Sequence, residues 1–279
     1  MAINIIGIAG IGVLGMAISN VFEGFNDNEN KLTIVKYDKY KKIGEIEELL
    51  QTDVLFLCLP TELDVNTGTY NMTEIEGMCE YLDANKYRGI VVLKSTVLPY
   101  TTENLSYAYS RLLLVHNPEF LSERTAEQDF KNQKHIVLGV LDTTPQYTSE
   151  CLIKLFKKYF PNAELSVCMS YESESMKIFC NTFYAVKVHF MTELKLLCDS
   201  MNMNYSKIKE LMIKNGWINP MHTESPGHDG ILSYGGRCLP KDSTALLKLM
   251  QKYKSPHKVL DATVRENAEV RELGRAHSV

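Results

Sequence analysis

Ile3-Asn4-Ile5-Ile6-Gly7-Ile8-Ala9-Gly10-Ile11-Gly12-Val13-Leu14-Gly15 is the stretch that decides the fold. Residues 3–9 are apolar and rich in β-branched side chains, the reading of a central strand. Residues 16–25 read as a helix. Between them Gly10, Gly12 and Gly15 give G-x-G-x-x-G in the strand-to-helix setting where that spacing carries meaning. The first glycine makes the turn, the second lets a pyrophosphate approach, and the third packs helix on strand. The helix start, with Val13 and Leu14, faces the phosphates. A second strand, residues 32–37, ends in Asp38. An acid at that distance from the glycines can hydrogen-bond both ribose hydroxyls and repels a 2′-phosphate, so the expected cofactor is NAD.

Working outward, the alternation continues. Residues 53–59, 89–93, 112–115 and 135–140 read as strands. Residues 71–84 and 145–159 read as helices. Strands alternating with helices predict an α/β fold, a Rossmann-type doubly wound parallel sheet covered on both faces. Ligands of such sheets sit beyond the carboxyl ends of the strands, where Thr61, Ser95, Thr96, Asn117, Glu119 and Glu123 gather. Any one of these alone would read as a loop or cap residue; their shared location makes the set informative.

The chain of 279 residues is 45% hydrophobic, with a net charge of −4, so no basic field points to nucleic acid. No apolar run reaches the roughly 20 residues that span a bilayer, and the apolar N-terminus has no basic start, reading as a buried strand and not a signal peptide. Seven scattered cysteines without CxxC pairing fit a reducing cytoplasm and argue against a disulfide framework or a zinc site; no metal is expected.

The second half is helical. Residues 171–201 contain neither Pro nor Gly, and Met176, Phe179, Phe183, Val186, Phe190, Leu194 and Leu197 recur at helical spacing. A helix of that length is expected to link domains or to pack against its copy in a homodimer. Lys177 and Asn181 share one face of it. Residues 205–215 continue as helix, a loop follows over 222–233, and residues 243–253 read as the next helix. A charged tail, residues 265–279, reads as partly disordered. The loop delivers Tyr234-Gly235-Gly236-Arg237-Cys238-Leu239-Pro240-Lys241-Asp242. Two glycines leave room for a ligand beside one thiol, and a thiol near a cation and a helix start is an activated nucleophile. The domains expected are 1–166, binding the cofactor, and 167–279, a helical domain with a long central helix that carries the thiol loop.

In this order the motifs resemble those of the nucleotide-sugar 6-dehydrogenases, the UDP-glucose and GDP-mannose dehydrogenases, over nearly the whole chain. They are the glycine fingerprint with Asp38; Lys94-Ser95-Thr96-Val97; Asn117-Pro118-Glu119-Phe120-Leu121 with Glu123; Lys177 with Asn181; and the Cys238 loop. The resemblance implies oxidation of a sugar primary alcohol to a carboxylate with two NAD. It gives Cys238 the role of nucleophile, Thr96 and Asp242 the water that takes the alcohol's proton, and Lys177 and Asn181 the oxyanion. Glu119 matches the carboxylate that activates the hydrolytic water. Thr61 and Glu123 match residues that contact the cofactor, Lys241 is similar to a lysine beside cofactor or substrate, and Ser95 and Thr96, in the matching strand-end motif, are expected to bind the cofactor. The family's third domain, which grips the nucleotide, would lie beyond Val279. That leaves three accounts of the nucleotide's grip: a partner subunit, a smaller substrate, or a separate polypeptide. Two other readings stand beside this one. A binding or regulatory protein could keep the cofactor fold without turnover, and a 3-hydroxyacid dehydrogenase would share the first domain and long helix but needs no cysteine in a glycine loop.

Overall fold

The computed structural model describes residues 3–25, 32–64 and 66–276. It divides into two compact units, Met1–Glu62 with Tyr70–Lys177, and Leu63–Thr69 with Ile178–Val279. The division falls inside the long helix and not at residue 166.

The first unit is built on β1 (Ile5–Ala9), α1 (Val13–Gly24), β2 (Thr33–Tyr37), β3 (Val54–Leu57), α2 (Thr73–Ala84), β4 (Ile90–Leu93), α3 (Thr101–Ala108), β5 (Leu113–His116), α4 (Ala126–Lys131), β6 (His135–Val140), α5 (Gln146–Tyr159) and β7 (Glu164–Met169). The seven strands form one sheet in the order β2-β1-β3-β4-β5-β6-β7. The first five are parallel, with Ile6 opposite Val54 and Val54 opposite Ile90. The last pair departs from the all-parallel expectation: β6 runs antiparallel to β5, and β7 parallel to β6. The link between β5 and β6 carries only the six-residue α4. Such a helix rises about 9 Å, less than a strand's length, so the chain re-enters the sheet from the end at which it left. The parallel strands are buried on both faces, which explains their unbroken apolar runs. Alternate residues divide between two cores. Val54, Phe56, Ile90 and Val92 face the side covered by α1, α4 and α5. Leu55, Leu57, Val91 and Leu93 face α2 and α3. Phe22 centres the first core, with ring centroids 6.0 Å from Phe56 and 5.6 Å from Tyr159.

The long helix is α6, Ser170–Ser200, 31 residues. Its first turns belong to the first unit. The remainder joins α7 (Tyr205–Lys214), α8 (Cys238–Lys252) and α9 (Lys258–Ala276) in the second. Two sequence expectations change here. The expected helix at 243–253 starts five residues earlier, at Cys238. Pro240 is tolerated because the first helical turn has no intrahelical use for its N–H. The expected loose tail is the helix α9 as far as Ala276; residues 277–279 lie outside the described residues. The apolar stripe expected on α6 is not its packed face: Phe179, Phe183, Phe190 and Leu197 are all more than half exposed, whereas Ile178, Ala185 and Met191, outside that stripe, are buried.

Candidate active site

The glycine fingerprint takes the form its spacing predicts. Gly10 has φ +90°, and a side chain there would meet the Cys58 carbonyl at 2.5 Å. At Gly15 a Cβ would lie 2.0 Å from the Gly10 carbonyl, so only glycine lets α1 lie this close to the turn. At Gly12 a Cβ would meet nothing within 4 Å, and the space beside the backbone is open. Gly12 is the N-cap of α1 with no side-chain cap, so the first backbone N–H groups, those of Val13 and Leu14 among them, lack a side-chain cap at the helix's positive end. Val13 is exposed. Asp38 closes the loop: its carboxylate accepts from Ile11 N at 2.8 Å, Tyr40 N at 3.0 Å and Lys41 N at 2.8 Å. Lys41, whose charge lies near Asp38 in sequence, is engaged at the Ile11 carbonyl, 2.6 Å away.

A cavity of about 450 Å³ opens beside Gly10 and Asp38, walled by Tyr37, Ile46, Leu59 and Met78. An acid at the rim, apolar walls and an uncovered glycine fit the adenosine and pyrophosphate of NAD. Sequence reasoning located Asp38 and the glycines but not the walls, which come from the end of β2, the segment after it, the loop after β3 and α2, and carry no motif.

At the strand ends, Ser95 Oγ donates to the Leu59 carbonyl at 2.6 Å, and Thr61 Oγ1 donates to the Thr96 carbonyl at 2.8 Å. The loops after β3 and β4 are thereby tied together, with Thr96 half-buried. Lys94 is buried and donates to Asn117 Oδ1 at 2.8 Å. Burial lowers its pKa to about 8 and pushes that of Cys58 up to about 12. Lys94 stands in a sequence motif that assigns it no role; its near-complete burial is visible only in three dimensions. Lys177, also buried, reaches the Glu119 carboxylate at 3.1 Å and carbonyl, and stands 4.7 Å over the Phe120 ring. The second Glu119 oxygen accepts from Leu121 N at 2.6 Å. Glu123 is exposed, in the turn that leads into α4, outside the Lys177–Glu119 pair.

In the second unit the thiol loop is pinned at its base. Ser233 N donates to Thr192 Oγ1 at 3.1 Å, and Arg271 of α9 donates to the Ser233 carbonyl at 3.3 Å. The same guanidinium covers Gly235, where a Cβ would meet it at 2.6 Å. Gly236, at φ +75°, turns the chain into α8. Cys238 is the exposed first residue of α8, at the helix's positive end. One turn on, Asp242 is fully buried. It accepts from Asn181 Nδ2 at 2.6 Å and pairs with Lys241 Nζ at 3.0 Å. The structure therefore joins Lys177 to Glu119, and Asn181 to Asp242 and Lys241, with Lys177 and Asn181 one turn apart on α6.

Fold and site together define a dinucleotide-binding oxidoreductase architecture with an exposed thiol on a helical unit. Residues 32–160 match the NAD binding domain, and residues 171–269 the central domain, of the UDP-glucose/GDP-mannose dehydrogenase family. The chain belongs to that family. It is 25% identical to a UDP-glucose 6-dehydrogenase of Campylobacter jejuni over 93% of this chain and 71% of the relative. To a UDP-glucose 6-dehydrogenase of Rhizobium meliloti it is 29% identical over 77% of this chain, spanning half the relative's length. The UDP-glucose dehydrogenase structure of Pyrobaculum islandicum superposes with a TM-score of 0.81 at 21% identity, over 96% of this chain and 68% of that one, a likeness of fold.

Proposed function

We propose that this chain performs an NAD-dependent, four-electron oxidation of a nucleotide-sugar primary alcohol to a carboxylate, with UDP-glucose to UDP-glucuronate as the first candidate reaction. The observation that carries the reading is Cys238, exposed at the first position of α8, one turn ahead of the buried Asp242–Asn181 pair. Bound NAD would supply the hydride acceptor for each of the two oxidations, one molecule for the alcohol step and a second for the thiohemiacetal step. Asp242 and Thr96 are assigned the water that takes the alcohol's proton. The Cys238 sulfur adds to the aldehyde carbon, giving a thiohemiacetal whose oxyanion Lys177 and Asn181 stabilise; loss of the second hydride leaves a thioester. Water then attacks the acyl carbon, Glu119 takes its proton, and the C–S bond breaks to return the thiolate. Lys241 would stand beside cofactor or substrate, and Gly10, Gly12, Val13, Leu14, Gly15, Asp38, Thr61, Ser95, Thr96 and Glu123 would hold the cofactor.

The division of labour proposed is a cofactor-binding first domain and a helical second domain that bears the nucleophile. The exposed row Phe179, Phe183, Phe190 and Leu197 repeats largely at seven-residue spacing, which supports a homodimer through α6. No helix among the described residues is long and apolar enough to cross a membrane. No disulfide joins any of the seven cysteines, which supports a cytoplasmic setting. The test is Cys238→Ser. Acid formation is expected to stop, with aldehyde-level chemistry at most; undiminished acid formation would overturn the reading.

A further inference from the structure

One buried side chain of the second unit has no task in the proposed reaction. His189 of α6 is 2% exposed. Its Nδ1 lies 2.8 Å from Ser233 Oγ, and its Nε2 has no hydrogen-bond partner among the described residues. That nitrogen is aimed at two carboxylates. Glu266 Oε2 of α9 is 3.3 Å away, and Glu193 Oε1, one turn along α6, is 3.7 Å away. The three prospective ligand atoms lie within 4.8 Å of one another.

These spacings are those of ligands around one ion. Two donors held at about 2.1 Å on a tetrahedral zinc stand about 3.4 Å apart, and the two observed separations bracket that figure. One imidazole with two carboxylates suits a borderline divalent ion of the zinc, cobalt and manganese group, and no thiolate is needed. Ser233 supplies the outer contact that fixes the ring and leaves Nε2 to the ion. Both glutamates are nearly half exposed, so water can complete the coordination and the ion can enter.

We propose that His189, Glu193 and Glu266 bind one zinc-class divalent ion. Bound there, the ion ties α6 to α9 and braces Ser233, the residue that leads into Tyr234 and the Cys238 loop. Arg271, on the same α9, already holds the Ser233 carbonyl and the Asp229 carboxylate, the latter at 2.6 Å. The role is structural: the ion touches no reacting group. No sequence motif announces the site, because the third ligand comes from another helix and the set contains no cysteine. The competing account is a proton, an imidazolium paired with the two glutamates.

The test is equilibrium dialysis of the chelator-treated protein against zinc, followed by metal analysis, with cobalt substitution as the spectroscopic check. The original chain is expected to take up one ion, and bound cobalt to show weak visible bands without a thiolate charge-transfer band. The double variant Glu193→Gln, Glu266→Gln, altered only at exposed side chains, is expected to bind at least about ten-fold more weakly and to lose zinc's protection in thermal melting. Glu266→Gln alone repeats the comparison if the double variant's circular dichroism differs. Absence of saturable uptake, equal affinity in the variants, or a thiolate band would overturn the proposal.

Discussion

The three fingerprint glycines make different demands, and alanine substitution separates them. Gly12 has φ −77° and ψ −158°, which alanine adopts freely, and its Cβ would meet nothing within 4 Å. Weaker N-capping costs roughly 0.5–1 kcal/mol, and the stiffer unfolded chain returns about 0.4–1 kcal/mol. The net stability change of Gly12→Ala is therefore within about 0.5 kcal/mol. At Gly15 the new methyl would stand 2.0 Å from the Gly10 carbonyl. Backbone must move by more than an ångström to reach ordinary contact, and overpacking of that kind costs about 1–3 kcal/mol or more. Binding inverts the order of interest. The space beside Gly12 is where the pyrophosphate of NAD would pass, so its methyl is expected to weaken NAD about 10- to 100-fold, or about 1.4–2.7 kcal/mol. Denaturant melts give the first quantity and calorimetric NAD titration the second. Gly12→Ala should melt like the original and bind NAD poorly; Gly15→Ala should lose both. Undiminished NAD affinity in Gly12→Ala would refute the path assigned to the cofactor.

Three further outcomes follow from single contacts. Asn181→Ala removes a charge-assisted hydrogen bond to the fully buried Asp242 and should cost about 1.5–3 kcal/mol in urea unfolding; an unchanged midpoint would mean that the pair adds nothing to the fold. Glu174, fully buried and bonded to Thr102 N and Oγ1, has its pKa pushed up to about 7 by burial. The folded state then binds the proton more tightly than the unfolded state. The group's contribution is present below the ordinary carboxylate pKa and lost as pH rises to 7, up to about 3 kcal/mol. Glu174→Gln should flatten that part of the stability–pH curve, and an unaltered slope would assign it elsewhere. Phe183→Glu, in the exposed row of α6, should convert the proposed dimer to monomer by sedimentation equilibrium; a monomer before substitution would remove the dimer.

The first unit was legible because its cues are local. Apolar runs bounded by Gly, Pro and Asp mark buried parallel strands, and three glycines mark the turn, where Gly10 and Gly15 leave no room for a side chain. What stayed hidden depends on distant partners. β7 has polar residues at Glu164 and Ser166, and reads as a strand only once β6 is beside it. The reversal of β6 depends on the shortness of α4, which no periodicity announces. On α6 the apolar stripe was plain, but Phe179, Phe183 and Phe190 point outward while Ile178 and Ala185 carry the packing. A helix with two apolar faces gives one period and no hint of which face is inside. The site residues were found as types at workable spacings. The pairings Lys177–Glu119 and Asn181–Asp242 span 58 and 61 residues, and required the fold. Pro240 hid the first five residues of α8, so Cys238 read as lying near a helix start and not as the helix's first residue.

The most direct test of the central claim is the ratio of NADH formed to UDP-glucuronate formed when the purified chain is given UDP-glucose and NAD. Four-electron oxidation through Cys238 predicts two NADH for each acid, with no free aldehyde accumulating. One NADH per sugar oxidised with aldehyde as the end product, or no turnover while NAD binds normally, would contradict it.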